Sequence, residues 1–531
     1  MKSSRQIALL LLLLGTSAFA KTTIPERATW MQKGLYGITY QLTAEKVGAT
    51  DVEGWNEVVD QFDVAAFAEQ AEAAGASWVI FPLGGDSGFW CAPSIIMDKI
   101  ISGRPSRCST RDLPMELENA LHQKGIKLIL SMPSRAPQND PVGMKALGDV
   151  DPFSPAPELF KIYWENAIRE WSQRYGTRLS GWWFDQVHNW DSWEDPKSET
   201  NFDTWAAAAR EGNANRILCF NSKKVSHYAR LGKRKPEPLD FASGEQIAGF
   251  TKRPPDVDRE IPPGAVGHKR IPLSGQWGGV GYPVQPASVI GDWLLALAEK
   301  KGALTIDVGV WSIDGHYGLL PPWQLDCLNR VKKQVKEGVL VPEIPSGMSD
   351  LSVTAKYFSS SLSRITPKDT PAMLLTTGAS GNGNAFITQR ENRPYIVVSL
   401  AEEATVRQLD LYRAPASTWS ETALAVWMWK SPDQPMTQKA AAYPENWTRL
   451  WQSERTGWQW ILSMKDGLPV QHLKIGLEED DVEFRLGRVK IYGDPAVKSD
   501  EALPDDWKAR QEALKNQEAP KAKLKKRFGI F

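Results

Sequence analysis

Short apolar runs that end in small or polar residues recur through the first 340 residues, and a helical pattern follows most of them. The runs are continuous rather than alternating, which is typical of strands covered on both faces. Between most of them, apolar residues recur three or four positions apart, as on the buried face of a helix. The pattern predicts eight strands, at 34–41, 77–85, 126–134, 179–186, 216–222, 239–246, 268–278 and 303–311.

The intervening helices are clearest at 64–75, 111–125, 157–171, 287–302 and 321–335. Eight strands alternating with helices over about 300 residues predict an α/β fold, a (β/α)8 TIM barrel. A doubly wound open sheet is the competing fold. It needs a glycine-rich phosphate loop after its first strand, and GLYGITYQ (34–41) is not one. The stretch between the fifth and sixth strands is only weakly helical, so we expect an irregular unit there.

Beyond residue 350 the helical patterns give way to turn residues and short strands. We therefore expect a C-terminal β-sandwich after the barrel. The predicted organisation is a barrel over 21–345, a β-sandwich over 350–497 and a polar, basic tail over 498–531.

The N-terminus has the three parts of a secretory signal peptide. A basic start (MKSSRQ) precedes the apolar run IALLLLLLG, and TSAFA ends in a small-x-small cleavage pattern. We predict a signal peptide over 1–20 and an exported mature chain, either periplasmic or secreted. The apolar run is too short to span a bilayer, and no later segment approaches 18 apolar residues, so no membrane span is expected.

The composition limits the classes of binding partner and cofactor that are expected. The 63 basic and 63 acidic residues balance, which gives no reason to expect binding to nucleic acid or an anionic membrane surface. The chain has 23 Trp residues, which could stack on the apolar faces of sugars or pack in an aromatic core. No His or Cys spacing indicates a metal, and no cofactor is expected. The sequence sets no oligomeric state.

Four cysteines remain in the predicted mature chain. Cys91 and Cys108 flank one loop, and for an exported protein a disulfide between them and two free thiols are both open. Cys219 in a strand and Cys327 in a helix are predicted to be buried thiols.

Active sites of barrels lie at the carboxyl ends of the strands. Asp185 closes the fourth predicted strand, in LSGWWFDQVH, so its carboxylate should face that mouth. The other residues predicted at this rim, as groups that contact substrate, are Tyr40, Asp86, Trp90, Trp183, His188, Glu245, Gln276, Trp277, Asp307 and His316. Carboxylates lined with indoles suit a sugar ring.

Glycoside hydrolysis needs such a pair of carboxyl groups. One attacks the anomeric carbon or stabilises its charge, and the other gives a proton to the leaving oxygen. Asp185 is the better nucleophile candidate, and Glu245, in FASGEQ, is the first choice for the acid. The residues alone leave retention and inversion open.

At these residues the chain resembles the α-L-fucosidase family of retaining glycoside hydrolases. The similarity covers roughly residues 30–340, in the segments 62–94, 111–134, GWWFDQ (181–186), DFASGEQ (240–246), GQWGGVGYP (275–283) and 302–328. The resemblance implies a retaining mechanism with Asp185 as nucleophile, and a terminal α-linked deoxy- or galacto-like sugar of an oligo- or polysaccharide as substrate. The C-terminal region resembles discoidin-type, galactose-binding-like modules.

The chain departs from this family at the sugar pocket. Family histidines after the first two strands are replaced by GITYQ and LGGDSGF, and the Trp-Glu step before the seventh-strand aromatic segment is missing. We therefore expect a changed sugar preference. The alternatives are a non-hydrolytic carbohydrate-binding protein on a glycosidase-like barrel and a barrel enzyme of endo-acting type.

Overall fold

The computed structural model describes most of the chain between residues 24 and 494. The gaps in that range are 152–153, 188–189, 196, 222–238, 247–263, 282, 314–315, 342–347, 364–385, 415–423, 431–435 and 454–458. The predicted signal peptide and tail lie outside the described residues.

Seven parallel strands form the first sheet, and each falls within a predicted strand. They are β1 (Tyr36–Tyr40), β2 (Trp78–Pro82), β3 (Lys127–Pro133), β4 (Gly181–Asp185), β5 (Ile217–Phe220), β6 (His268–Pro272) and β7 (Ala303–Val308). Their order is β5-β4-β3-β2-β1-β7-β6. The last strand therefore lies beside the first, as in a barrel, and not in the reversed order of a doubly wound sheet.

Segment 239–246 lies between the two ends of this sheet, β5 and β6. On one side the amide of Asp240 donates to the carbonyl of Leu218, at 2.8 Å. On the other side the amide of Ala242 donates to Val266 (3.0 Å) and that of Gln246 to Arg270 (2.9 Å). The segment pairs through isolated bridges and does not form the regular sixth strand predicted over 239–246, so the first sheet is barrel-like. The stretch before it, where an irregular unit is expected, lies outside the described residues.

Helices cover the outside of this sheet, except the first, whose Met31 belongs to the inner cluster with Trp78 and Ile129. They are α1 (Thr29–Gly34), α2 (Ala44–Val47), α3 (Val52–Asp60), α4 (Val64–Ala73), α5 (Ile95–Ile100), α6 (Leu113–Gln123), α7 (Pro141–Leu147), α8 (Glu158–Tyr175), α9 (Phe202–Ala209), α10 (Ala287–Glu299) and α11 (Pro322–Lys336). Asp51, Asp63, Asp112 and Asp140 each cap the first turn of a helix. A membrane-spanning helix would need a longer apolar stretch than any helix in the described part of the chain offers.

Alternation along the strands separates two cores. Trp183 faces inward, where it belongs to a cluster with Trp78, Ile129 and Ile217. Its neighbour Trp182 belongs to the larger cluster between the sheet and the helices. Because side chains alternate between the faces, Asp185 shares the inner face of Trp183.

An antiparallel sheet follows, as the strand pattern of the C-terminal region predicts. Its strands are β10 (Ser349–Asp350), β11 (Lys356–Ser359), β12 (Phe386–Ile387), β13 (Tyr395–Arg413), β14 (Leu424–Trp429), β15 (Trp447–Gln452), β16 (Gln459–Leu477) and β17 (Arg485–Gly493). A hairpin, β8 (Trp311–Ile313) with β9 (His316–Leu319), precedes α11. A short helix, α12 (Gln438–Ala441), lies between β14 and β15. Trp311 and Trp323 pack against Tyr412 of β13, which joins the two sheets.

The structure decides between a disulfide and two free thiols at Cys91 and Cys108. Cys91 and Cys108 are both buried free thiols, so the bridge considered from the compartment is not formed. The Cys91 thiol instead contacts the carbonyl of Pro82, at 3.4 Å. Cys219 and Cys327 are buried, as predicted.

Arg216 is fully buried at the amino end of the first sheet, opposite the rim that carries Asp185. Its guanidinium donates to five backbone carbonyls: those of Ser172, Gly176, Leu179, Ala209 and Glu211. Arg216→Met should lower the free energy of unfolding by about 2–4 kcal/mol, because buried carbonyls lose their donors. Urea unfolding measures this. Arg216→Lys, which keeps a donor, should lose less, and an unchanged or more stable Met variant would contradict the role of the hydrogen bonds.

Candidate active site

Asp185 is the last residue of β4 and lies on its inner face. Three groups approach its Oδ1 atom: the Asn221 side-chain amide (2.6 Å), the Gln186 backbone amide (3.1 Å) and the Trp183 indole (3.4 Å). Within the described residues, no hydrogen-bond donor contacts Oδ2. The carboxylate is therefore held by one oxygen and presents the other.

The backbone around Asp185 is tightly fixed. Gln186 adopts a positive φ of 56°, which is uncommon for a residue with a side chain. The Asp185 carbonyl accepts from the Ser134 amide (2.9 Å), and the Ser134 hydroxyl donates to the Gln186 carbonyl (2.8 Å). These bonds compensate for the unfavourable backbone conformation and fix the direction of the carboxylate.

Glu245 is placed by the segment between β5 and β6. Gly244 has a positive φ of 57°, and a Cβ atom there would lie 1.9 Å from the His268 carbonyl oxygen, so only glycine allows this approach to β6. The Glu245 side chain is 29% exposed and forms an ion pair with Arg270, with an Nη1–Oε1 distance of 3.0 Å. Burial raises the pKa of Glu245 and the Asp185 carboxylate raises it further, against the opposing effects of Arg270 and Asn221.

Arg270 connects Glu245 to the next strand. It is buried on β6, and its second terminal nitrogen contacts Asp307 of β7, at 3.1 Å. The guanidinium lies over the rings of Trp183 (5.1 Å) and Trp277 (4.8 Å). Burial opposes its charge, but the carboxylates of Asp307, Asp185 and Glu245 together raise the pKa of Arg270. The cation is therefore permanent and holds the acidic groups in place.

A layer of neutral polar groups lies beneath Arg270. His268 is buried, and its ring nitrogens contact the Ala242 carbonyl (2.8 Å) and the Thr305 hydroxyl (2.7 Å). Burial lowers the pKa of His268 to about 3, so the ring is neutral at pH 7. The Trp78 indole also donates to the Thr305 hydroxyl, at 2.9 Å. This layer fixes the floor of the site without adding charge.

Asp86 lies on the loop after β2, where the side-chain amide of Gln186 approaches it at 3.5 Å. Gln138 in turn contacts Gln186, at 3.3 Å. Burial and the carboxylates of Glu45 and Asp185 raise the pKa of Asp86. Asp86 therefore belongs to the same electrostatic cluster as Asp185.

The other residues predicted to contact substrate lie partly inside and partly outside the carboxylate cluster. Trp277 and Asp307 join the cluster through Arg270, and the fully buried Trp183 lies against Asp185. Gln276 is exposed on the loop after β6. His188 and the side chain of His316, which belongs to β9, lie outside the described residues.

Tyr40 and Trp90 lie in the helix-facing core and not at the rim where they were predicted. Tyr40 is fully buried, and its ring packs 5.0 Å from that of Phe67, because its position in β1 faces the helices. Trp90 is 1% exposed and packs against Trp164 and Trp171 of α8.

Three residues of the cluster were not predicted: Asn221, Arg270 and Gln41. Asn221 directly follows β5, and Asp185 ends β4. A polar residue at the carboxyl end of a strand is expected at the active-site edge, so this position could have identified Asn221. Arg270 shares the inner face of β6 with His268. Gln41 follows β1 and donates to Asp307 over 2.5 Å, a pairing that no local pattern indicates.

No group of three or more His, Cys, Asp or Glu side chains that could hold a metal ion occurs among the residues that the structure describes. Asp307 is instead neutralised by Arg270 and accepts from the amide of Gly278, at 2.5 Å. The arrangement is suited to proton transfer and nucleophilic attack by carboxyl groups.

No protein-family model matches the chain, and no curated protein sequence matches it. Solved structures that resemble it include α-L-fucosidase isoenzyme 1 from Paenibacillus thiaminolyticus, with 15% identity, a TM-score of 0.41, and coverage of 86% of this chain and 99% of that one. A Ruminococcus gnavus GH29 fucosidase in complex with fucose has 11% identity, a TM-score of 0.38, and coverage of 90% and 95%. An endo-fucoidan hydrolase of glycoside hydrolase family 107 has 14% identity, a TM-score of 0.45, and coverage of 70% and 66%. α-L-Fucosidases, the family predicted from the sequence segments, are thus among these structural neighbours.

Proposed function

We propose that the protein is a glycoside hydrolase that cleaves a terminal α-linked sugar through Asp185 and Glu245. The observation that carries the proposal is that Asp185, held by the Asn221 amide, and Glu245, held by Arg270, belong to one cluster of charges. That amide donates to Asp185 over 2.6 Å and also lowers the pKa of Glu245. The two groups have different environments, as a nucleophile and an acid require.

The retaining mechanism rests on the resemblance of segments 181–186 and 240–246 to the α-L-fucosidase family. Retaining pairs of carboxyl groups are about 5–5.5 Å apart, whereas inverting pairs are about 6.5–9.5 Å apart to admit a water molecule. The effect of the Asp185 charge on the pKa of Glu245 supports a short separation.

In the proposed reaction Asp185 Oδ2 attacks the anomeric carbon while the bond to the leaving oxygen breaks. Glu245 gives its proton to that oxygen, and a glycosyl–Asp185 ester forms. Water then attacks the same carbon, its proton returns to Glu245, and the ester bond breaks. The three donors at Asp185 Oδ1 hold the carboxylate in one orientation through both steps.

The resemblance of segments 181–186 and 240–246 to α-L-fucosidases suggests a deoxy- or galacto-like sugar. The family has histidines after the first and second strands, and this chain has Gln41 and Asp86 near those positions. Gln41 donates a hydrogen bond to Asp307, and Asp86 accepts one from Gln186. These groups present amide and carboxyl atoms in place of imidazoles. They support a changed sugar preference, and they also favour the second candidate function, sugar binding without hydrolysis.

The test is hydrolysis of a panel of 4-nitrophenyl α- and β-glycosides that includes α-L-fucoside and α-galactoside. We expect turnover of at least one α-glycoside, and ¹H NMR should show the α-anomer of the free sugar first, because retention follows from two displacements. A β-anomer as first product would overturn the retaining mechanism. Calorimetric binding of a sugar that is never cleaved would support the non-hydrolytic alternative.

A further inference from the structure

Lys474 occupies an unusual position on the antiparallel sheet, far along the chain from the carboxylate cluster. It lies on β16, with Val397 of β13 and Trp427 of β14 as its cross-strand partners. Its neighbours Leu473 and Ile475 face the apolar core of the sheet, so Lys474 points to the opposite face. It is nevertheless only 9% exposed.

Aromatic rings surround the Lys474 ammonium group. Its Nζ atom lies 4.7 Å from the ring centre of Trp427, 5.0 Å from that of Trp447 and 5.4 Å from that of Tyr395. Trp447 is fixed by a hydrogen bond from its indole to the Ala441 carbonyl, at 2.9 Å. The short helix α12 contributes Ala440 and Ala441 to the same cluster, so the rings are held in place.

The ammonium group has no oxygen partner within the part of the chain that the structure describes. No carboxylate lies within 4 Å of it, and no acceptor is in hydrogen-bond range. The acidic group that acts on Lys474, Glu478, is already paired with Arg449 at 2.7 Å. A buried charge normally requires such partners, and a methionine would fill the same space without that cost.

We propose that Lys474 and the rings around it form a binding site for a glycan that carries a carboxylate or sulfate group. The rings of Tyr395 and Trp427 are only half-buried and can stack on the apolar face of a sugar. The anionic group would supply the acceptor that the ammonium lacks. The site would hold an acidic polysaccharide independently of the carboxylates on the first sheet.

The charge of this site should be lost at lower pH than that of an ordinary lysine. Burial lowers the pKa of Lys474 to about 8; Glu478 opposes this shift and Arg393 adds to it. In the part of the chain that the structure describes, the other titratable group beside the amine is the Tyr395 phenol, whose pKa is raised by burial. Binding should therefore weaken between about pH 7 and 9, whereas surface lysines keep their charge to about pH 10.

Isothermal titration calorimetry of the full-length protein tests the site, with polygalacturonate, dextran sulfate and unsubstituted dextran as probes. At pH 7 we expect binding of polygalacturonate or of dextran sulfate, but not of dextran. Lys474→Met should weaken that binding about ten- to hundredfold, the value of a charged hydrogen bond. Trp427→Ala, which keeps the amine, should weaken it as well.

The matched control is Lys356→Met, which removes an exposed lysine from β11 of the same sheet and should leave binding unchanged. Hydrolysis of a small aryl glycoside should be equal in all the variants, so the outcome is separable from that of the catalytic proposal. Equal binding by the Lys474→Met variant, equal binding of dextran, or no binding to either anionic glycan would each overturn the proposed site.

Discussion

Replacing Asp185 with Asn is expected to abolish glycoside hydrolysis, with a fall in kcat of the order of 10⁴-fold or more. The amide can accept the same hydrogen bonds at its oxygen but cannot form the glycosyl ester. Because Asn221, Gln186 and Trp183 still have an acceptor, the fold and sugar binding should persist. Steady-state kinetics on the best aryl glycoside, with calorimetry for the sugar, measure both quantities.

A smaller variant separates loss of the nucleophile from damage to the site. Asp185→Ala leaves room for a small anion, so sodium azide should restore turnover of an aryl glycoside and yield a glycosyl azide of inverted configuration. Asp112→Asn is the control for a carboxylate lost elsewhere, since Asp112 caps α6. Full activity of the Asp185→Asn variant, or failure of azide to act on a folded Asp185→Ala variant, would remove Asp185 from the proposed role.

The strands of the first sheet were predictable because their signal is local. Most of the apolar runs are long enough to mark a buried strand, such as WVIFPL (78–83), which Gly84 follows. The same runs conceal which face of a strand is inside, because apolar residues occupy both faces. Tyr40 was assigned to the rim for this reason, although its position in β1 faces Phe67 and the helices.

The site was predictable only where position along a strand determines it. Asp185 ends a strand, and its placement at the carboxyl edge follows from the fold. Arg270 was missed because its partners Glu245 and Asp307 lie 25 and 37 residues away along the chain. Gln41 and Asp307 are 266 residues apart. Such pairs form when the sheet curls, and no single-strand pattern encodes them.

The two acidic candidates for proton donation, Glu245 and Asp86, are distinguished by what holds them. Both have raised pKa values, primarily through burial and secondarily through charges that include Asp185. Glu245 also has a fixed cation, Arg270, at 3.0 Å, which orients the carboxyl group. Among the described residues, the Asp86 side chain is held only through the long contact to Gln186, at 3.5 Å. The better-positioned group is the stronger candidate for the acid, and the leaving group of the substrate provides the discriminating experiment.

Glu245→Gln should lower kcat/KM about 10²- to 10⁴-fold on a substrate whose leaving group is another sugar, because that oxygen needs a proton to depart. On a 2,4-dinitrophenyl glycoside the first step should be nearly unchanged, since this leaving group departs as the anion. The acid must be protonated, so wild-type activity falls as pH rises through the pKa of Glu245, and the Gln variant should lack this alkaline limb. Kinetics on both substrates across pH measure the split, and Asp86→Asn is the matched comparison. If the Gln variant loses activity equally on both substrates while Asp86→Asn shows the leaving-group dependence, the proton comes from Asp86, whose pKa is raised in the same acidic cluster.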